Sequence, residues 1–195
     1  MKMAQPFLLA LLLTGCATLP PGQEVISTLA HDNAIPLTAV KLRNDAPLLG
    51  VQPVEGEFGP GAPVVELAKG NSYYRLFRLN PASGNLHLKV TSYCACLGFD
   101  KRVAVPLLRV LTKSGQVVSL LPDGYEYSVE GAHGFTPLSV TLDVTVPGAE
   151  AAYALVAADN SRPDSPISGI NLNGLLHLEI LSYPVGRFDI RYVSP

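Results

Sequence analysis

The feature that most constrains this chain is an apolar alternation of period two, found in several segments with no sustained 3.6-residue stripe after residue 20. Leu86, Leu88 and Val90 alternate with His87, Lys89 and Thr91, and Val140, Leu142, Val144 and Val146 alternate with Ser139, Thr141, Asp143 and Thr145. Phe188, Ile190 and Tyr192 do the same against Arg187, Asp189 and Arg191. Side chains of a strand point to opposite faces in turn, so each segment reads as a half-buried strand with one face on a core. Residues 103–111 are nearly all apolar and read as one central strand, with an irregularity where Pro106 lacks its backbone donor. Shorter candidates are 73–79, 117–121, 125–129, 152–157 and 175–183, each bounded by Gly, Pro, Asn or Asp. About nine strands at regular spacing predict an all-β fold, an antiparallel β-sandwich or jelly roll, for residues 48–195.

The amino terminus is of a different kind. Lys2 precedes an apolar run over 7–13, and Leu13, Thr14 and Gly15 lead directly to Cys16. The run is about half the ~20 residues that a membrane-spanning helix needs. A basic start, a short apolar core and small residues before a cysteine form a lipoprotein signal peptide, with residues 1–15 removed and the Cys16 thiol lipidated. Ala17, where Asp would favour retention in the inner membrane, points to the outer membrane, periplasmic face. Residues 16–47, broken by Pro20, Pro21, Gly22, Pro36 and Pro47, read as a lipidated tether with at most one helical turn. The segment 48–67 reads as one or two edge strands, and 159–173 as the longest polar loop and the first choice for a contact.

The net charge of −2 and the absence of any lysine or arginine cluster exclude nucleic acid as an expected partner. A hydrophobic fraction of 48% is that of a folded domain.

The runs Tyr74-Arg75-Leu76-Phe77, 86–92 (Leu-His-Leu-Lys-Val-Thr-Ser) and 105–111 (Val-Pro-Leu-Leu-Arg-Val-Leu), followed by 152–156 (Ala-Tyr-Ala-Leu-Val), resemble the maltose-operon periplasmic protein family. The resemblance covers residues 48–159. The chain departs from that pattern in carrying Cys94 and Cys96 between two strands and a lipobox at its start. The resemblance implies an envelope location and a non-enzymatic role, and brings no catalytic residues with it.

Cys94-Ala95-Cys96 is the most unusual local motif, a thiol pair in an exported chain. Residues two apart on a straight strand lie about 6.6 Å apart, near the limit of about 6.8 Å for bridged α-carbons, so a disulfide here requires a bend. Three readings stand: a loop-tightening disulfide, two free thiols, or part of a soft-metal or redox-exchange site, for which two ligands alone are too few.

His31, His87, His133 and His177 show no metal-ligand spacing, and no metal or other cofactor is expected. His177 and Glu179 would share a strand face as a surface pair. No Gly-x-Ser-x-Gly, His-Glu-x-x-His or phosphate-binding glycine loop is present, so the chain is not expected to be an enzyme. Candidate binding residues are the tyrosines Tyr125 and Tyr127 and the loop residues Asn160, Arg162 and Asn171. Two functions fit these features: a module that binds or scaffolds an envelope protein, or a carbohydrate-binding accessory that stacks oligosaccharide on tyrosine rings.

Overall fold

The computed structural model describes residues 21–31, 33–97, 100–121, 124–131, 137–172 and 176–193. In chain order the elements are helix α1 (Gly22–His31), β1 (Ile35–Pro36), a 3-10 turn (Leu37–Ala39), β2 (Val54–Phe58), β3 (Val64–Glu66), β4 (Ser72–Arg78) and β5 (Asn85–Tyr93). They continue with β6 (Ala95–Leu97), β7 (Asp100–Val103), β8 (Pro106–Leu111), β9 (Tyr125–Glu130), β10 (Ser139–Pro147), β11 (Tyr153–Ala158), β12 (Pro166–Leu172), β13 (Leu176–Ser182) and β14 (Gly186–Tyr192). The fold is all-β, with fourteen strands among the described residues where the sequence suggests about nine.

Three sheets form, with strand orders β1-β3-β4-β11-β8, β2-β14-β5-β10-β9 and β12-β13-β7-β6. The first two make the sandwich. Leu88 and Val90 of β5, Leu142, Val144 and Val146 of β10, and Phe188 and Ile190 of β14 point inward from the second sheet. They meet Phe77 of β4, Ala154, Val156 and Ala158 of β11, and Leu108 and Val110 of β8. The alternation read from sequence therefore gives the inner face of the second sheet directly, because that sheet turns its other face to water.

The first sheet is covered on both sides. Its outer face carries Val65, Tyr74, Leu107, Leu111, Tyr153, Leu155 and Ala157, over which lie Ile35, Leu37, Val40 and Leu42. Every residue of β11 is buried in consequence, which is why 152–157 reads as a continuous apolar run rather than an alternating one. The third sheet packs on a smaller cluster of Val103, Leu138, Val140 and Ile180.

Four local expectations change. The single strand expected over 103–111 is two: β7 ends in the third sheet at Val103, and β8 starts in the first at Pro106. Pro106 occupies the first position of an edge strand, where its missing N–H costs least. Residues 117–121 form no strand; they are held by a bridge from Val117 to Leu111, a bond from the Val118 N–H to the Val110 carbonyl at 2.8 Å and one from the Leu121 N–H to the Thr145 carbonyl at 3.3 Å. The loop expected over 159–173 contains β12, which pairs along β13.

The fourth change concerns the expected tether over 16–47, whose described part is docked. Helix α1 has ten residues, and Leu29 is fully buried in the main core. The Gln23 N–H donates to Asp164 Oδ2 at 3.2 Å, an anion at the positive end of the helix. Asp164 in turn accepts from Arg102 at 2.9 Å, and Arg102 also binds Asp100 at 2.8 Å and lies 5.3 Å from the centre of the Tyr183 ring. The helix is thereby tied to the third sheet.

Candidate functional site

The segment after the 3-10 turn crosses the outer face of the first sheet as a strap. Val40, Ala46 and Leu49 are buried, and the strap is clamped at the end of β4: Arg78 donates its N–H to the Pro47 carbonyl at 2.8 Å and its Nε to the Ala46 carbonyl at 3.0 Å, while the Leu49 N–H donates to the Arg78 carbonyl at 2.9 Å. Between the strap, β4 and the edge strand β2 lies a cleft of about 910 Å³.

Tyr74, Leu76, Phe77, Ile35 and Pro63 give the cleft an apolar lining, and its charged groups are Lys41, Arg43, Arg75 and Arg187 against Asp45, Glu55 and Glu57. Arg43 holds Asp45 in a two-point ion pair at 2.9 and 2.6 Å, and this hydrogen bonding keeps the Asp45 carboxyl below its usual range. Arg75 donates from Nε to the Glu57 carbonyl at 3.2 Å, which ties β4 to the otherwise unpaired side of β2. Burial pushes the Tyr74 phenol above its usual range.

Gly56, in the wall of the cleft, lies against Phe188. A Cβ there would sit 2.4 Å from Phe188 Cζ, and that ring is stacked on Phe58 with centroids 4.4 Å apart. Among the described residues, no Ser, His or Cys lines the cleft. The arrangement suits recognition of a ligand with apolar and charged parts.

Tyr125 and Tyr127 lie on β9, the edge strand of the second sheet, on the face that turns toward β8. Their rings meet edge to face with centroids 5.1 Å apart, and their hydroxyls share a hydrogen bond of 2.7 Å. The Tyr127 hydroxyl also donates to the Pro106 carbonyl at 2.7 Å. Burial of that hydroxyl, then its bond to Tyr125, raises its pKa far above the usual phenol range. The two residues nevertheless remain 36% and 40% exposed. The pair thus closes an open edge of the sandwich with its polar ends while presenting ring surface outward.

The loop after β11 starts at this same edge, where the Asp159 N–H donates to the Val105 carbonyl at 2.8 Å. Asn160, expected as a binding residue, is instead a buried clasp: its Nδ2 donates to the Asn71 carbonyl at 2.7 Å and its N–H to the Lys69 carbonyl at 3.0 Å. Arg162 is exposed, and its carbonyl accepts from Ser182 Oγ. Asn171 belongs to β12 through its backbone, and its side chain, like those of His31 and His177, lies outside the described residues, as do Cys16 and His133. His87 Nδ1 is hydrogen-bonded to Thr145 Oγ1 across the β5–β10 pair at 3.0 Å.

Cys94 and Cys96 are joined by a disulfide with α-carbons 5.2 Å apart. That is shorter than two straight strand steps, because the chain leaves β5 and bends at Cys94 to enter β6. Among the described residues no group of three or more His, Cys, Asp or Glu gathers as metal ligands, and no helix is long and apolar enough to cross a membrane.

The tyrosine edge and the start of the 159 loop are thus neighbours, whereas the strap cleft sets the run Tyr74-Arg75-Leu76-Phe77 against strap residues not singled out from the sequence. The signal for the strap side in the sequence was a concentration of Arg, Lys, Asp and Glu within 41–57, a stretch divided between the expected tether and the expected edge strands. Comparison of the chain with family models, curated proteins and solved structures finds no match.

Proposed function

We propose that this chain is an outer-membrane lipoprotein, anchored through Cys16 and facing the periplasm, whose sandwich is a non-catalytic binding module for another envelope component. The observation that carries the binding role is the strap cleft, with its apolar lining and both signs of charge held in place by backbone clamps. Its fixed walls favour binding without reordering of the site. The resemblance to the maltose-operon periplasmic protein family supports the same non-enzymatic role.

On this reading five residues separate Cys16 from helix α1, a reach of at most about 20 Å. The body is therefore held close to the bilayer rather than on a long tether. The test is photo-crosslinking in cells from probes placed at Lys41 and Glu57 of the lipidated protein. One discrete envelope partner that is lost on strap deletion supports the role, and an unchanged adduct pattern refutes it. Intact mass spectrometry of the membrane fraction tests the anchor separately, through the acyl mass on Cys16.

A second reading is a carbohydrate-binding accessory of an uptake system, favoured by the exposed rings of Tyr125 and Tyr127. Titration with maltodextrins, followed by tyrosine fluorescence, should saturate on this reading and lose its signal in Tyr125→Ala. A flat titration excludes it.

A further inference from the structure

The disulfide between Cys94 and Cys96 spans a single residue, and the backbone on each side of it is held by other bonds. The Cys94 N–H donates to the Leu138 carbonyl at 2.9 Å. Ala95, Cys96 and Leu97 pair in register with Arg102, Lys101 and Asp100 of β7. A ring this small removes little freedom from the unfolded chain, and the hairpin keeps its ladder with or without the bridge. The cross-link is thus poorly placed to act as a staple.

Its two sulfurs differ in setting. Cys96 is exposed, whereas Cys94 is half-buried against the cluster of Val103, Leu138, Val140 and Ile180. Lys101 lies directly opposite Cys96, so the two side chains share one face of the hairpin. A cation beside an accessible sulfur favours its thiolate, the form that exchanges.

We propose that Cys94–Cys96 is an exchangeable disulfide that accepts two electrons from a dithiol of a peptide or protein partner. A partner thiolate attacks Cys96 Sγ, the Cys94–Cys96 bond breaks, and Cys94 Sγ leaves as a thiolate that takes a proton from water. The partner's second thiol, losing its proton to solvent, then attacks its own sulfur in the mixed disulfide and expels Cys96 as a thiolate beside Lys101. The partner ends as a disulfide and this chain as a dithiol, one two-electron oxidation for one two-electron reduction. In reverse the Cys96 thiolate attacks an oxidised partner and Cys94 resolves the intermediate. This role is independent of the cleft and of the lipid anchor.

The test incubates the full mature protein with mixtures of reduced and oxidised glutathione in native buffer, followed by alkylation and peptide mass mapping. That mapping reads Cys94 and Cys96 apart from Cys16. Expected are a dithiol form that appears with an unchanged far-UV circular dichroism spectrum, and glutathione trapped on Cys96 in about tenfold excess over Cys94. Lys101→Gln is expected to slow alkylation of reduced Cys96 several-fold with the same spectrum. A bridge that opens only in denaturant, opening that abolishes the β spectrum, glutathione trapped mainly on Cys94, or full alkylation speed in Lys101→Gln would each overturn the proposal.

Discussion

Gly56→Ala tests how the sandwich closes at the cleft. The new methyl carbon would stand 2.4 Å from Phe188 Cζ and 2.8 and 2.9 Å from its Cε atoms. The ring cannot swing aside: it is 1% exposed, stacked on Phe58 and met edge-on by Phe77 at 6.2 Å. Relief requires a shift of β2 away from β14, which strains the ladder that joins Gly56 to Phe188. Overpacking of this kind costs ~1–3 kcal/mol, and the immobile ring places Gly56→Ala near the upper end. For a domain of this size about 3 kcal/mol lowers Tm by roughly 6–12 °C.

Phe188→Leu, which leaves a space where the ring was, is expected to cost about 1–3 kcal/mol alone. In the double variant the methyl fills part of that space, so the combined loss should fall short of the sum by at least about 1 kcal/mol. Urea denaturation followed by circular dichroism measures all four corners of this cycle. A Gly56→Ala change within about 0.5 kcal/mol of the parent, or strict additivity with Phe188→Leu, would refute the packing account.

Ser92 is fully buried, and its Oγ has no hydrogen-bond partner among the described residues, so Ser92→Ala should stabilise the fold by about 1 kcal/mol in the same denaturation assay. Tyr127→Phe removes the bonds to Pro106 and Tyr125 and should cost about 1 kcal/mol, with faster hydrogen exchange at the β8–β9 edge. Asp164→Asn keeps a side chain that tolerates its φ of 57° but loses the charge facing Arg102 and the α1 N-terminus; hydrogen exchange over residues 23–30 should quicken, with about 1–2 kcal/mol of stability lost. The hydrogen bond to Asp189 raises the Tyr93 phenol to about 12, above its unfolded value, so the fold favours the protonated form. That contribution is complete below pH ~10 and is lost as pH rises through the folded value; absorbance titration should show several late tyrosinate steps, of which Tyr93→Phe removes the one near pH 12.

What the sequence by itself determined were β5, β10 and β14, strands with one wet face and one dry face. In β5, β10 and β14 the alternation is enforced by that asymmetry, so local pattern and tertiary position agree. The bend that a Cys94–Cys96 disulfide would require was equally local, resting only on strand rise and disulfide reach. The tertiary structure decided whatever depends on a second surface. Residues 16–47 read as a tether because their prolines and glycines forbid long elements, yet Leu29 of α1 and Val40 of the strap find burial against sheets formed far along the chain. Pro106 changes sheet rather than kinking one strand, and Asn160 turns inward to satisfy backbone groups of 69–71. Gly56 reads as a chain breaker until Phe188, 132 positions later, is brought against it. The cleft has the same origin: its walls come from segments that are distant in sequence, and a concavity between them is a property of packing that no single segment encodes.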